Sequence, residues 1–218
     1  MNIDVWSDIV CPWCYIGKRR LETALSRFEH RDKITLTWRS YQLNPEAPKV
    51  ATETTVQMLA RKYGVSMEEA EAMQTRVRDV AAQEGLKYRL DITRSENSFD
   101  AHRLLHLARE HGKQDALKER LFAGYFLEGA SLGDAETLLR MATEAGLDKD
   151  AAAQVLAGDA HADAVRADIA QARSIGVQGV PFFVLGGRYG LSGAQPADTF
   201  LQALRKAWDE SAGGAAEA

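Results

Sequence analysis

The sequence predicts an α/β protein: a four-stranded mixed sheet built from both ends of the chain, βαβ and then αββα, with a large all-helical domain inserted between them. Three observations point there. Two short alternating stretches flank one amphipathic helix near the N-terminus. A long run of helical patterns follows, and "VPFFVLGGRYGLSG" near the C-terminus has the pattern of a hairpin.

In order, "NIDVW" alternates apolar Ile3 and Val5 with polar Asn2 and Asp4, the period of a strand. "SDIVCP" is a turn, and Pro12 suits the first turn of a helix, where its missing N–H costs nothing. Ile16, Leu21, Ala24, Leu25 and Phe28 share one helical face, and "ITLTW" alternates again through Ile34, Leu36 and Trp38. Strand, helix and strand at this spacing make a parallel βαβ unit with a right-handed crossover. Pro45 and Pro48 end it.

The helical block then opens. Val56, Leu59, Ala60 and Tyr63 share a face that Gly64 stops, and Ser66 with Glu69 reads as a capping box for a helix through Ala70, Met73, Val77 and Val80. Further faces are Ala101/Leu104/Leu105/Ala108, Leu117/Leu121/Tyr125 and Ala135/Leu138/Leu139/Ala142. Val165, Ile169 and Ala172 mark one more helix, closing near Gly176. Gly186-Gly187 between apolar runs signals a hairpin. A last helix from about Pro196 places Phe200, Leu201, Leu204 and Trp208 on one side. The expected divisions are 1–45 and 159–210 for the two parts of the sheet domain, 46–158 for the helical insertion and 211–218 for a flexible tail.

With 218 residues, 45% of them hydrophobic, the chain can bury a sizeable core. Net charge is −4 and no lysine/arginine block stands out, so neither a nucleic-acid footprint nor a membrane partner is expected. The run Lys18-Arg19-Arg20 reads as the solvated face of a helix. "MNIDVWSDIV" has no basic segment followed by a long apolar one, and the expected location is cytoplasmic, where thiols are kept reduced.

Cys11 and Cys14 are the only cysteines. A bridge between them closes a four-residue loop and removes little chain entropy, so it is a poor staple. Cys11 falls where a strand hands over to a helix N-terminus, and there unpaired N–H groups and the helix dipole favour a thiolate. Cys14 lies one turn on, placed to attack a mixed disulfide at Cys11. This makes Cys11 the nucleophile, expected to be the more exposed and more acidic thiol, and Cys14 the resolving thiol. A zinc site needs about four ligands and this pair supplies two. His102 and His106 have the spacing to add two more, but packing or solvation is the plainer reading for both, so no metal is expected. A zinc-bridged dimer pooling two pairs is the non-enzymatic alternative. In "GVQGVPFF", Pro181 opens a predicted strand, an awkward place for proline unless a cis turn brings Val180 beside Cys11.

These residues resemble the thioredoxin superfamily, and the layout resembles its DsbA-like branch. "SDIVCPWCYIGKRRLE", "YQLNP", "NSFDAHRLLHLA" and "GVQGVPFFVLGGRYGLSGAQP" are similar, in order, to stretches of FrnE-type dithiol–disulfide oxidoreductases. The resemblance implies a thioredoxin fold, with Cys11 as attacking thiol, Cys14 as resolving thiol and Pro181 as the cis-proline. It implies thiol–disulfide exchange on a protein or small-molecule substrate, with no metal or organic cofactor and with glutathione as a candidate co-substrate. The same branch holds glutathione-dependent hydroxychromene carboxylate isomerases and kappa-class transferases, the alternative reading; those tend to carry serine in place of Cys11. Strongly oxidising DsbA proteins resemble CPHC, whereas here Trp13 replaces the histidine. Trp13, Val180 and Pro181 are the expected substrate-binding residues, Trp13 as an apolar platform. Asp8 either caps the turn before Cys11 or moves protons during resolution. Gln42, Asn44, Asn97 and His102 are candidates to line the groove between sheet and helices.

Overall fold

The computed structural model describes residues 1–213, with side chains described through 211. Strand β1 (Asn2–Ser7) leads into helix α1 (Pro12–Ser26), and β2 (Thr35–Ser40) follows. Helices α2 (Thr55–Tyr63), α3 (Met67–Gln83), α4 (Phe99–Glu110), α5 (Gln114–Ala123), α6 (Ala135–Glu144) and α7 (Lys149–Ala157) come next. Then α8 (Ala162–Ser174), β3 (Phe182–Leu185), β4 (Tyr189–Ser192) and α9 (Ala197–Gly213) complete the chain. The sheet order is β2-β1-β3-β4. β1 pairs parallel with β2, and β3 pairs antiparallel with both β1 and β4, the mixed sheet that the two ends of the sequence predict.

Local chemistry explains most boundaries. Thr54 and Ser66 each accept from the third backbone N–H of the helix they open, and the Gln57 and Glu69 side chains return the bond, so α2 and α3 both start with capping boxes. Gly64 ends α2 in the left-handed conformation, as glycine permits. In the β3–β4 turn Gly186 and Gly187 have φ of +58° and +69°, a conformation that most side chains disfavour. A single π-helical turn, residues 124–128, continues α5.

Besides a small cluster of Trp6, Ala172 and Val177, two larger apolar clusters hold the fold together. Ile3, Val5, Leu21, Ala24, Phe183, Phe200 and Leu204 form one, with Phe183 and Phe200 edge to face at 4.7 Å. The other is larger and joins Cys11, Cys14, Tyr15 and Ile16 of the first turns to residues of α4 and α5 and the following π turn. Helix α1 therefore contributes to both.

Three expectations are corrected. Lys18 is not on a solvated face: it is buried, pairing with Glu22 and lying 3.1 Å from Glu119 and 3.5 Å from Asp115, because α5 packs along α1. Tyr63, expected on the apolar face of α2, is exposed. The last helix runs to Gly213, into the expected tail, and the rest of that tail lies outside the described residues.

Candidate active site

The antiparallel β1–β3 pairing builds the site. Val5 faces Phe183 and Trp6 faces Phe182, so the C-terminal end of β1 and the N-terminal end of β3, the two central strands, meet at one end of the sheet. β1 delivers Cys11 there, and β3 is preceded by Val180-Pro181, joined by a cis peptide bond. The Cys11 thiol donates to the Val180 carbonyl at 3.4 Å. Gly17 allows this closeness: a Cβ there would lie 3.0 Å from the Pro181 ring and 3.3 Å from Phe183.

Cys11 is the N-cap residue of α1 and Pro12 stands in the first turn, as the sequence predicts. Both cysteines are free thiols. The expected difference in exposure is small, 3% for Cys11 against 1% for Cys14. The expected acidic Cys11 is also corrected. The neighbouring Cys14 side chain, burial and the Asp8 charge together push the Cys11 thiol well above its ordinary value. The helix N-terminus is present, but these effects outweigh it in the reduced pair. Trp13, between the cysteines, is 39% exposed.

Asp8 does not cap α1 with its side chain. Its backbone carbonyl receives the Cys11 N–H at 3.2 Å, while its carboxylate receives the Leu43 N–H at 2.7 Å and meets His102 Nε2 at 3.3 Å. Burial pushes the Asp8 carboxyl up, but the hydrogen bond and charge of His102, the Leu43 amide and Ser98 outweigh it, and the net shift is down. For His102, burial dominates over Asp8 and pushes the imidazole down. At neutral pH the pair is therefore a carboxylate with a neutral imidazole. His106, also buried, turns elsewhere, to Asp168 at 3.2 Å and to the Ser40 hydroxyl at 3.1 Å. Solvation of either histidine is thus excluded, and each meets its own carboxylate.

Acid sensitivity follows with a definite sign. Unfolded His102 takes a proton at about pH 6.5, whereas the folded pKa is lower, so the unfolded state binds more protons as pH falls below that value. The Asp8 contribution is lost later, as pH falls through its depressed folded pKa. The melting temperature is expected to drop between pH 7 and 5, and His102→Gln, which can still donate to Asp8, is expected to flatten that part of the curve. Calorimetry across this range checks both; a flat wild-type profile contradicts the assignment.

Of the groove candidates, Asn97 knots the loops. Its amide donates to the Pro45 carbonyl at 2.9 Å and the Ala47 carbonyl at 3.1 Å, and its oxygen accepts from Gln42 at 3.1 Å. Gln42 lines a groove of about 370 Å³ with Pro45, Phe99, Ile169, Arg166 and Arg173. Asn44 only bonds the Glu46 amide in its own turn.

Sequence reasoning misses what lies behind the cysteines. Tyr15 stacks on Phe122 at 4.8 Å, Tyr88 stacks on Phe126 at 4.7 Å, and Tyr88 donates to the Pro12 carbonyl at 2.7 Å. This aromatic wall fixes the first turn of α1. Behind it lies Lys118, fully buried. The periodicity of Leu117 and Leu121 marks an apolar face but does not show that Lys118 is enclosed with it.

Comparison with known proteins agrees with this geometry. The family described as "DSBA-like thioredoxin domain" matches residues 2–205. A probable DsbA oxidoreductase from Streptomyces coelicolor is 46% identical, with 96% of this chain and 91% of that one covered and a TM-score of 0.90. The cytosolic disulfide reductase DsbM from Pseudomonas aeruginosa, solved with glutathione, shares the fold at 16% identity, with 94% and 98% of the chains covered and a TM-score of 0.63. The uncharacterized protein YwbO of Bacillus subtilis (strain 168) is 25% identical over 94% of this chain and 96% of its own.

Proposed function

The chain belongs to the DsbA-like thioredoxin-domain family of thiol oxidoreductases, and from that premise we propose that it catalyses dithiol–disulfide exchange in the manner of the FrnE-type branch. The Cys11 thiolate attacks a substrate disulfide, one sulfur of which leaves as a thiolate and takes a proton. Cys14 then gives up its proton and attacks the Cys11 sulfur. The second substrate thiol leaves, the substrate has gained two electrons and the enzyme holds a Cys11–Cys14 disulfide. Glutathione, as co-substrate, returns it to the dithiol, and the cycle uses no metal or organic cofactor. The reverse direction oxidises a substrate dithiol.

The observation that carries the reading is the Cys11 thiol on the Val180 carbonyl beside Pro181, with Cys14 a turn behind. Val180 and Pro181 form the edge along which the substrate's sulfur lies, and Trp13 is the exposed apolar surface next to it. The groove beside Gln42 carries Arg173 and Arg166, the latter also paired with Asp163, as positive charge for a carboxylate of glutathione. Equilibration in glutathione buffers, with trapping of free thiols, tests the reading; a Cys11–Cys14 pair that never oxidises across the buffer range overturns it.

The redox poise is expected to reflect the Cys11 surroundings. A thiolate that the Cys14 side chain, burial and, least, Asp8 disfavour makes a less oxidising couple, in keeping with the proposed cytoplasmic location. Known couples span about −120 mV for DsbA to −270 mV for thioredoxin, and this one is expected well below the DsbA end. Trp13 offers one neutral N–H where an imidazolium would stabilise the thiolate. Regaining an interaction of about 1.5–3 kcal/mol with a charged group moves a two-electron couple by about 30–65 mV. Trp13→His is expected to raise the potential by that amount in the same buffers; an unchanged or lower potential removes Trp13 as the determinant.

A further inference from the structure

Lys118 presents a fully buried amine whose Nζ has no hydrogen-bond partner among the described residues. It faces rings instead, lying 4.8 Å from the Phe122 centroid and 5.5 Å from that of Trp38. Both ends of this cage are fixed. Gln114 clamps the Trp38 backbone, accepting at 3.0 Å and donating at 2.9 Å, and the Trp38 indole donates to Asp115 at 2.9 Å. On the other side Phe122 stacks on Tyr15, the residue next to Cys14.

A buried, unpaired ammonium is costly, and exchange for an apolar side chain of similar volume is commonly neutral or stabilising. Nothing in the packing of α5 requires the charge. What lies around it does have a use for it. Cys14 is the group that most favours its proton, ahead of Asp8 and Cys11, while Lys18 on α1 opposes it and His102 on α4 feels its charge. Asp115 and Glu119, on its own helix, are already engaged by Trp38, Tyr15, Arg19 and Lys18. Burial brings the amine down to about 8, so at pH 7 it is still mostly ammonium.

We propose that Lys118 is the charge partner of the resolving thiol: its buried ammonium stabilises the Cys14 thiolate, whose proton leaves to solvent, while that thiolate attacks the mixed disulfide. The Cys14–Cys11 bond forms and the Cys11–substrate bond breaks. The departing substrate thiolate takes a proton. The helical block thereby supplies electrostatics to a dithiol carried by the sheet region. This rests on the dithiol reading above.

The test uses the full chain with Lys118→Met and oxidised glutathione as substrate. Rapid mixing and mass analysis separate formation of the Cys11 adduct from its resolution. Resolution at pH 7 is expected to slow at least tenfold, its pH profile to move to higher pH, and the melting temperature to hold or rise. A purely structural lysine predicts the opposite pattern, a lower melting temperature with an unshifted profile, and that result overturns the proposal. The wild type alone gives a second measurement. NMR titration of the Lys118 side chain is expected to show proton loss at lower pH in the disulfide form than in the dithiol form, where a thiolate can form beside it; identical titrations overturn the proposal even if the variant does not fold. Should wild-type Cys11 form no adduct at all, the exchange reading falls together with this one, whereas normal adduct formation and an unaffected resolution step remove Lys118 alone.

Discussion

Cys14→Ser is expected to stall the protein on a covalent adduct at Cys11, and Cys11→Ser to remove disulfide exchange down to the rate of the reagents alone. A hydroxyl has no thiolate to offer and cannot enter a disulfide, so Cys11→Ser removes the bond-forming atom itself. Cys14→Ser leaves the first attack intact, because Cys11 keeps its place on the Val180 carbonyl and at the start of α1. What it lacks is the sulfur that displaces the substrate. After exposure to a mixed-disulfide reagent, intact-mass measurement is expected to show one adduct per Cys14→Ser chain, mapped to Cys11, and none on Cys11→Ser. If the adduct maps to Cys14 in the wild type, the two roles are reversed. If Cys14→Ser turns over a small-molecule isomerisation with glutathione at full rate, the addition chemistry of the hydroxychromene isomerase type replaces exchange.

The second large effect concerns stability. Phe122 is fully buried and stacked on Tyr15 with the rings 13° from parallel. Its ring joins the aromatic wall behind Cys14 to the face of α5. Phe122→Ala is expected to cost about 3–5 kcal/mol, the sum of lost burial and the cavity left behind. For a domain of this size that corresponds to about 6–20 °C in melting temperature, at about 2–4 °C per kcal/mol. Trp13→Ala, also an aromatic loss but at an exposed position, is expected to stay within about 0.5 kcal/mol. Parallel melts of the two variants check the contrast; equal losses would show that the wall does not carry the stability assigned to it.

Much of the fold is legible in the amino-acid sequence. Alternation in "NIDVW", Pro12 after Cys11 and the Gly186-Gly187 pair each encode local geometry, and local geometry is what short patterns report. Pro181 is legible for a different reason: only its combination with an upstream strand–dithiol–helix gives a proline at a strand start a role. Lys18 and Lys118 escape because a lysine's exposure depends on what packs over it. Lys18 lies next to charged neighbours in sequence, yet α5 covers it. Lys118 is followed by two charged residues in "LKER", and only the docking of α5 against β2 and α1 encloses it. The Asp8–His102 contact joins residues 94 positions apart, which no periodicity can anticipate. The acidity expected of Cys11 rests on the helix end alone and leaves out burial and the second sulfur.

The pairing of β1 with β3 has a consequence for the protein's synthesis. The carbonyl that receives the Cys11 thiol is made 169 residues after Cys11 itself. At about 5–20 residues per second that gap is roughly 8–34 s of translation. During that interval β1 lacks the neighbour on one of its sides, and Cys11 lacks the carbonyl that receives its thiol. A nascent chain in that state is open to oxidants and to mispairing with other thiols. The long separation between contacting segments also places this protein among slow folders relative to helical bundles of its length. A reducing environment during synthesis therefore matters to this chain even though its finished fold carries no structural disulfide among the described residues.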